Sequence, residues 1–149
     1  MAKKETFILN TGTPINAINL DFRVGEHGEN RHADVMLIQS LFQYIGGKGN
    51  AGNRCVEGIR LPGVDGICGP VTKRAIRQFQ NKHSHRLLRV DGVIHPASYN
   101  GRKMADISKP VMTIMLLHFF ATDAALFLSD ADYFAGLVRI EPRLTPFLR

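Results

Sequence analysis

One short phrase is written twice in this chain. Val64-Asp65-Gly66-Ile67-Cys68-Gly69-Pro70 returns, 26 residues on, as Val90-Asp91-Gly92-Val93-Ile94-His95-Pro96. Valine, aspartate, glycine, an aliphatic residue and proline recur in register, and Thr72 is answered by Ser98. A repeat at fixed spacing means that one supersecondary unit has been used twice. Each copy reads as a tight turn that feeds a helix. Gly66 and Gly92 accept the positive φ that other residues resist, and Asp65 and Asp91 offer carboxylates to turn amides. Pro70 and Pro96 stand where a helix opens, a position that costs no backbone hydrogen bond. Thr72 can bond the amides left open in a first helical turn.

Helical periodicity fills in the surroundings. The first helix is expected over Ala33–Ile45, with Val35, Ile38, Leu41, Phe42 and Ile45 on one face and Gly46-Gly47 as its stop. The second is expected over Pro70–Lys82, with Val71, Ala75, Ile76 and Phe79 inward and Lys73, Arg74, Arg77 and Gln78 outward. A shorter third is expected over Pro96–Ile107, anchored by Tyr99, Met104 and Ile107. Ahead of them, Ile18, Leu20, Phe22 and Val24 alternate with polar residues, which is strand periodicity. That single clear run predicts a short arm or hairpin over residues 1–32. Val111 to Phe120 is strongly apolar but far shorter than the roughly 20 residues of a membrane span, so it is read as a buried helix. Ser129 or Asp130 is expected to cap a last helix through Val138, with Tyr133, Phe134 and Leu137 inward. The expected fold is therefore all-α, a single domain. It comprises an irregular or short β arm (1–32), a three-helix core (33–107) and an added C-terminal helical pair (110–149).

Charge is concentrated where the repeat lies. The chain carries a formal +6. Residues 73–103 hold Lys73, Arg74, Arg77, Lys82, Arg86, Arg89, Arg102 and Lys103 against Asp91 alone. Such a face favours anionic partners. Nucleic acid is a weak fit, because no base-reading motif accompanies the charge.

Residues 24–102 resemble the peptidoglycan-binding domain, the small three-helix module of bacterial and phage cell-wall proteins. The pieces that carry the resemblance are Asp34-Val35 through Ile38-Gln39-Ser40-Leu41, then Val64 to Thr72, Ala75-Ile76-Arg77-Gln78-Phe79-Gln80, and Val90-Asp91-Gly92-Val93. Val24-Gly25, Gly28 and Asn30 also resemble variants of that module. The resemblance implies non-catalytic binding of a stem peptide or glycan in a shallow groove beside the turns. Tyr44, Asp65, Arg74, Arg77 and Gln78 are the candidate ligand contacts, because arginine pairs with carboxylates and tyrosine offers a flat face with a hydroxyl. Asp65, Gly66, Gly69, Pro70, Thr72, Phe79, Gln80, Asp91 and Gly92 are read as the structural motif. The 46–62 loop, longer than the usual connection, and the apolar 111–128 segment are the features through which the same fold would serve as an adaptor in a secretion system or phage particle.

Catalytic motifs are missing from the sequence. It has no His-Glu-x-x-His helix, no Gly-x-Ser-x-Gly elbow and no phosphate-binding Gly-x-x-x-x-Gly-Lys loop. Glu57 is a lone carboxylate where a glycosidase needs two, and Cys68 with His83 or His95 is the remaining nucleophile-base pair to weigh. No enzyme activity and no cofactor are expected. Cys55 and Cys68 enclose a Gly- and Arg-rich loop that a disulfide would pin in an oxidising compartment. A zinc site from Cys55, Cys68, His83 and His85 would lack the close cysteine pair of structural zinc modules, so no metal is expected. No apolar leader follows Lys3 and Lys4, which leaves the compartment open between cytoplasm and cell envelope.

Overall fold

The computed structural model describes residues 3–8, 14–47, 51–97 and 110–148. Helix α1 (His32–Ile45) forms where periodicity places it, and Gly46 closes it by donating its amide to the Phe42 carbonyl at 2.9 Å. It is buried on more than one face: Asp34 through Phe42, Tyr44 and Ile45 are all out of solvent. The sequence shows one apolar stripe, but the fold uses α1 as its central rod. Helix α2 (Pro70–Lys82) matches its expected bounds and buries Thr72, Ala75, Ile76, Phe79 and Gln80. The Phe79 ring meets Phe42 and Phe120 edge-on at 5.7 and 6.0 Å, which joins α2 to the rod and to the C-terminal half.

That half is built from α3 (Thr113–Leu128) and α4 (Tyr133–Ile140), followed by a 3₁₀ stretch at Pro142–Phe147. Ser129, expected as a helix cap, instead ends α3 in the left-handed region at φ 60°. Asp132 takes the capping role for α4, accepting the Ala135 amide at 3.1 Å. Helices α3 and α4 are bent by 89° at their junction, and no single helix is long and apolar enough to cross a membrane among the described residues.

The all-α expectation is overturned by two antiparallel two-stranded sheets. β1 (Lys3–Ile8) pairs with β2 (Pro14–Asn19) in the register Lys3 to Asn19 and Ile8 to Pro14. β3 (Val24–Gly25) pairs with β4 (Val93–Ile94). The alternating run at 18–24 is not one strand. The chain leaves β2 after Asn19 because buried Asp34 accepts the amides of Asp21 and Phe22 at 3.1 and 3.2 Å, which turns the backbone away from the sheet. Backbone pairing of this kind leaves little trace in side-chain periodicity when a strand is two residues long. The close β3–β4 approach depends on Gly25, at φ 126°, where a Cβ would collide with the Gly92 carbonyl oxygen.

The expected third helix is corrected where it can be seen. Pro96 and Ala97 are not helical. Ala97 is instead held to Asn19, whose side chain accepts its amide at 2.8 Å and donates to its carbonyl at 2.9 Å. The remainder of that helix, with Ser98, Tyr99, Met104 and Ile107, lies outside the described residues.

Candidate functional site

The repeat is real in three dimensions, and it has a mechanism. Gly66 and Gly92 sit at φ 75° and 77°. Asp65 Oδ1 accepts the Ile67 amide at 2.9 Å and Asp91 Oδ1 accepts the Val93 amide at 3.1 Å, so each aspartate closes its own turn. Each turn is then pinned by a buried glutamine from the preceding helix. Gln39 of α1 accepts from the Asp65 and Gly66 amides at 3.0 and 2.9 Å, and its amide nitrogen reaches Asp65 Oδ1, the Ile67 carbonyl and Thr72 Oγ1. Gln80 of α2 accepts from the Gly92 amide at 2.7 Å and donates to the Val93 carbonyl and Thr113 Oγ1. Among the described residues, the hydroxyl that Gln80 bonds as Gln39 bonds Thr72 is that of Thr113, at the start of α3. Gln39 stands in the motif-bearing part of α1, but its partners are more than twenty residues away and no local pattern announces them.

This geometry reassigns two candidate contacts. The Asp65 carboxylate serves its turn, and its bonds to the Ile67 amide and Gln39 hold its pKa below the ordinary aspartate value. Tyr44 is no groove wall: it is 2% exposed and donates its hydroxyl to Asp130 Oδ2 at 2.6 Å. Its ring lies where a Cβ on Gly136 would be, which ties α1 to α4. Asp130 is shared with Arg139 at 3.2 and 3.3 Å. Tyr44→Phe is expected to lower stability by about 1 kcal/mol in urea titration, the ordinary loss of one buried hydrogen bond, while leaving ligand retention unchanged.

The other three candidates lie on the exposed side of α2. Pro70, Lys73, Arg74 and Arg77 share one helical face by their spacing. With Glu26 they line a shallow depression of about 250 Å³. Arg77 is held by Glu26 at 3.0 Å. Lys73 and Arg74 carry no ion pair among the described residues. Gln78 is exposed on the same helix but outside the depression. Lys73 and Glu26 were not among the sequence candidates. The signal for Lys73 was its three-residue step from Pro70, whereas Glu26 reaches the site only through the β3–β4 pairing.

Among the described residues, neither the long loop nor the apolar segment lines this depression. The 3₁₀ turn at Ala51–Val56 sits at the opposite end of α2, where His83 donates from Nε2 to the Cys55 carbonyl at 2.7 Å. Helix α3 buries its apolar residues inside the chain, leaving Leu126 and Phe127 exposed at its end.

The same placement argues against a disulfide. Cys68 precedes the first turn of α2 and Cys55 lies beyond its last, and a helix of this length spans about 20 Å, far more than the roughly 7 Å a disulfide tolerates. Both cysteines are free thiols. The separation equally removes the four-ligand zinc arrangement, and no cluster of His, Cys, Asp or Glu able to hold a metal occurs among the described residues. Cys68 is no activated nucleophile: burial raises its pKa, His83 faces the Cys55 carbonyl, and His95 pairs with Asp91 at 2.9 Å.

Set beside family models, curated proteins and solved structures, the chain matches none of them.

Proposed function

We propose that this chain is a non-catalytic binding module for bacterial cell-wall peptide, with the depression on α2 as its contact surface. The observation that carries the reading is a pair of cations, Lys73 and Arg74, with no ion pair among the described residues, held on a helix beside the first of the two pinned turns. Arg77 extends the cationic row, with its charge already balanced by Glu26. A stem peptide presents carboxylates, and a guanidinium can grip one through two parallel hydrogen bonds. The surface is shallow, which suits a polymer that contacts it along its length. Support also comes from the sequence resemblance, whose motif residues build the turns.

The test is retention on purified, insoluble peptidoglycan at low salt. The protein is expected to sediment with the polymer, and Arg74→Ala is expected to weaken retention by about ten-fold or more, the scale of one charge-assisted hydrogen-bonded contact. Protein left wholly in the supernatant would overturn the reading.

A second reading, an adaptor role in a larger assembly, is favoured by Leu126 and Phe127, adjacent apolar side chains 76% and 55% exposed at the end of α3. Co-purification that is abolished by Leu126→Ser with Phe127→Ser, together with unchanged wall retention, would select it.

A further inference from the structure

Another concavity lies away from the depression on α2. It is a cleft of about 480 Å³ between the second turn and the start of α3, lined by Arg23, Leu88, Arg89, Val93, His95, Pro96, Met112 and Thr113. Its size falls within the range of small-molecule sites.

Three short extended segments build its apolar part by the same rule. Successive side chains of an extended chain point to opposite faces. Leu87 and Val111 face each other in a parallel bridge and are buried, as is Ile94 of β4. Their neighbours Leu88, Met112 and Val93 therefore project to the other side, and all three line the cleft. The bridge is fixed by the Leu88 amide bonding the Val111 carbonyl at 3.0 Å and the Val111 amide bonding the Arg86 carbonyl at 2.9 Å. The core has thus claimed one face of each segment and left the opposite face apolar and open. Leu88 is 60% exposed.

The charges at this cleft are unequal. Arg23 is gripped by Glu29 through both its Nε and Nη2, and His95 gives Nε2 to Asp91. Arg89 has no ion pair among the described residues. One unneutralised guanidinium beside an apolar wall complements a ligand with one negative charge and an apolar body.

We propose that this cleft binds a small monocarboxylate with a compact apolar body. Arg89 takes the carboxylate, and Leu88, Val93, Pro96 and Met112 take the body. The site is separate from the surface on α2 and does not depend on wall binding.

Octanoate, with octanol as its uncharged counterpart, tests it by amide-resolved NMR titration of the full chain. The expected result is saturable shifts at residues 88–95 and 112–113, with half-saturation below about 5 mM. Octanol is expected to bind at least about ten-fold more weakly, since it lacks the charge-assisted contact. Arg89→Ala is expected to weaken octanoate by a similar factor, and Leu88→Asp, at an exposed position, to abolish binding by placing a carboxylate at the wall. Arg74→Ala is expected to leave octanoate binding unchanged, which separates this site from the surface on α2. No saturation by about 5 mM, equal affinity for octanol, or shifts centred elsewhere would each overturn the proposal.

Discussion

Replacing Gln39 by leucine is expected to destabilise the protein by about 3–5 kcal/mol, a large fraction of the whole stability of a domain this size. The side chain is 1% exposed and bonds the Asp65 and Gly66 amides, the Asp65 carboxylate, the Ile67 carbonyl and Thr72. Leucine fills similar space but leaves buried polar groups without partners, and each such group costs about 1–3 kcal/mol. Thr72 and the Gly66 amide are the least able to turn to water, because both residues are buried. Gln80→Leu is expected to behave alike at the second turn, where it strands the Gly92 amide, the Val93 carbonyl and Thr113. Urea unfolding of both variants checks this. A loss below about 1 kcal/mol would mean that the turns stand without their glutamines. Glutamate at either position is the sharper control, since it keeps the acceptor for the glycine amide and loses the donor.

Stability is also expected to fall by about 3 kcal/mol as pH drops from 6.5 to about 4, through one histidine. His118 is buried on α3, and its Nδ1 lies 2.6 Å from the Tyr133 hydroxyl. The Tyr133 oxygen accepts the Ile18 amide at 3.2 Å, so its own proton goes to Nδ1 and the imidazole is a neutral acceptor there. Burial lowers the His118 pKa from 6.5 to about 4. The sign follows directly. Above pH 6.5 both folded and unfolded chains carry a neutral ring and no linkage arises. Between 6.5 and about 4 only the unfolded chain takes up the proton, so stability declines by about 1.4 kcal/mol per pH unit. Below about 4 both states bind it and the slope ends. His83, also lowered by burial between Phe79 and Phe120, adds to the decline in the same direction. Thermal melts of the wild type and His118→Gln across this range isolate the effect. The variant is expected to be less stable at pH 7, because glutamine does not reproduce the bond from Tyr133, and to show a shallower slope below 6.5. Equal slopes would show that His118 titrates in the folded chain as it does in water.

The legible part of the fold is the part encoded by local periodicity and turn chemistry. The bounds of α2 follow from Pro70 and the Ala75-Ile76-Phe79 stripe, and those of α1 from its apolar spacing and Gly46. The β1–β2 hairpin falls inside the arm or hairpin expected over residues 1–32, though not on the alternating run at 18–24, and the β3–β4 pair was not legible. β3 and β4 are two residues each and exist because Gly25 lets the Gly92 carbonyl approach. The caps of the C-terminal helices were shifted because Asp130 is engaged by Tyr44 and Arg139, leaving Asp132 to cap α4. The same contact explains why Tyr44 failed as a surface candidate: an aromatic near a helix end looks exposed until another helix covers it.

The sequence by itself determined the doubled Asp-Gly turn, the two helices beside it and the basic face of α2. Each is set by residues within a few positions of one another, through φ preference, proline placement and 3.6-residue spacing. Only the tertiary structure decided which residues lock the turns and which cations are left for a ligand. Gln39 reaches Asp65 across 26 positions, Glu26 reaches Arg77 across 51, and Tyr44 reaches Asp130 across 86. Hydrogen bonds and ion pairs at such separations arise from the packing of whole elements, so a residue's identity tells what it can bond and its place in the fold tells what remains for it to bond.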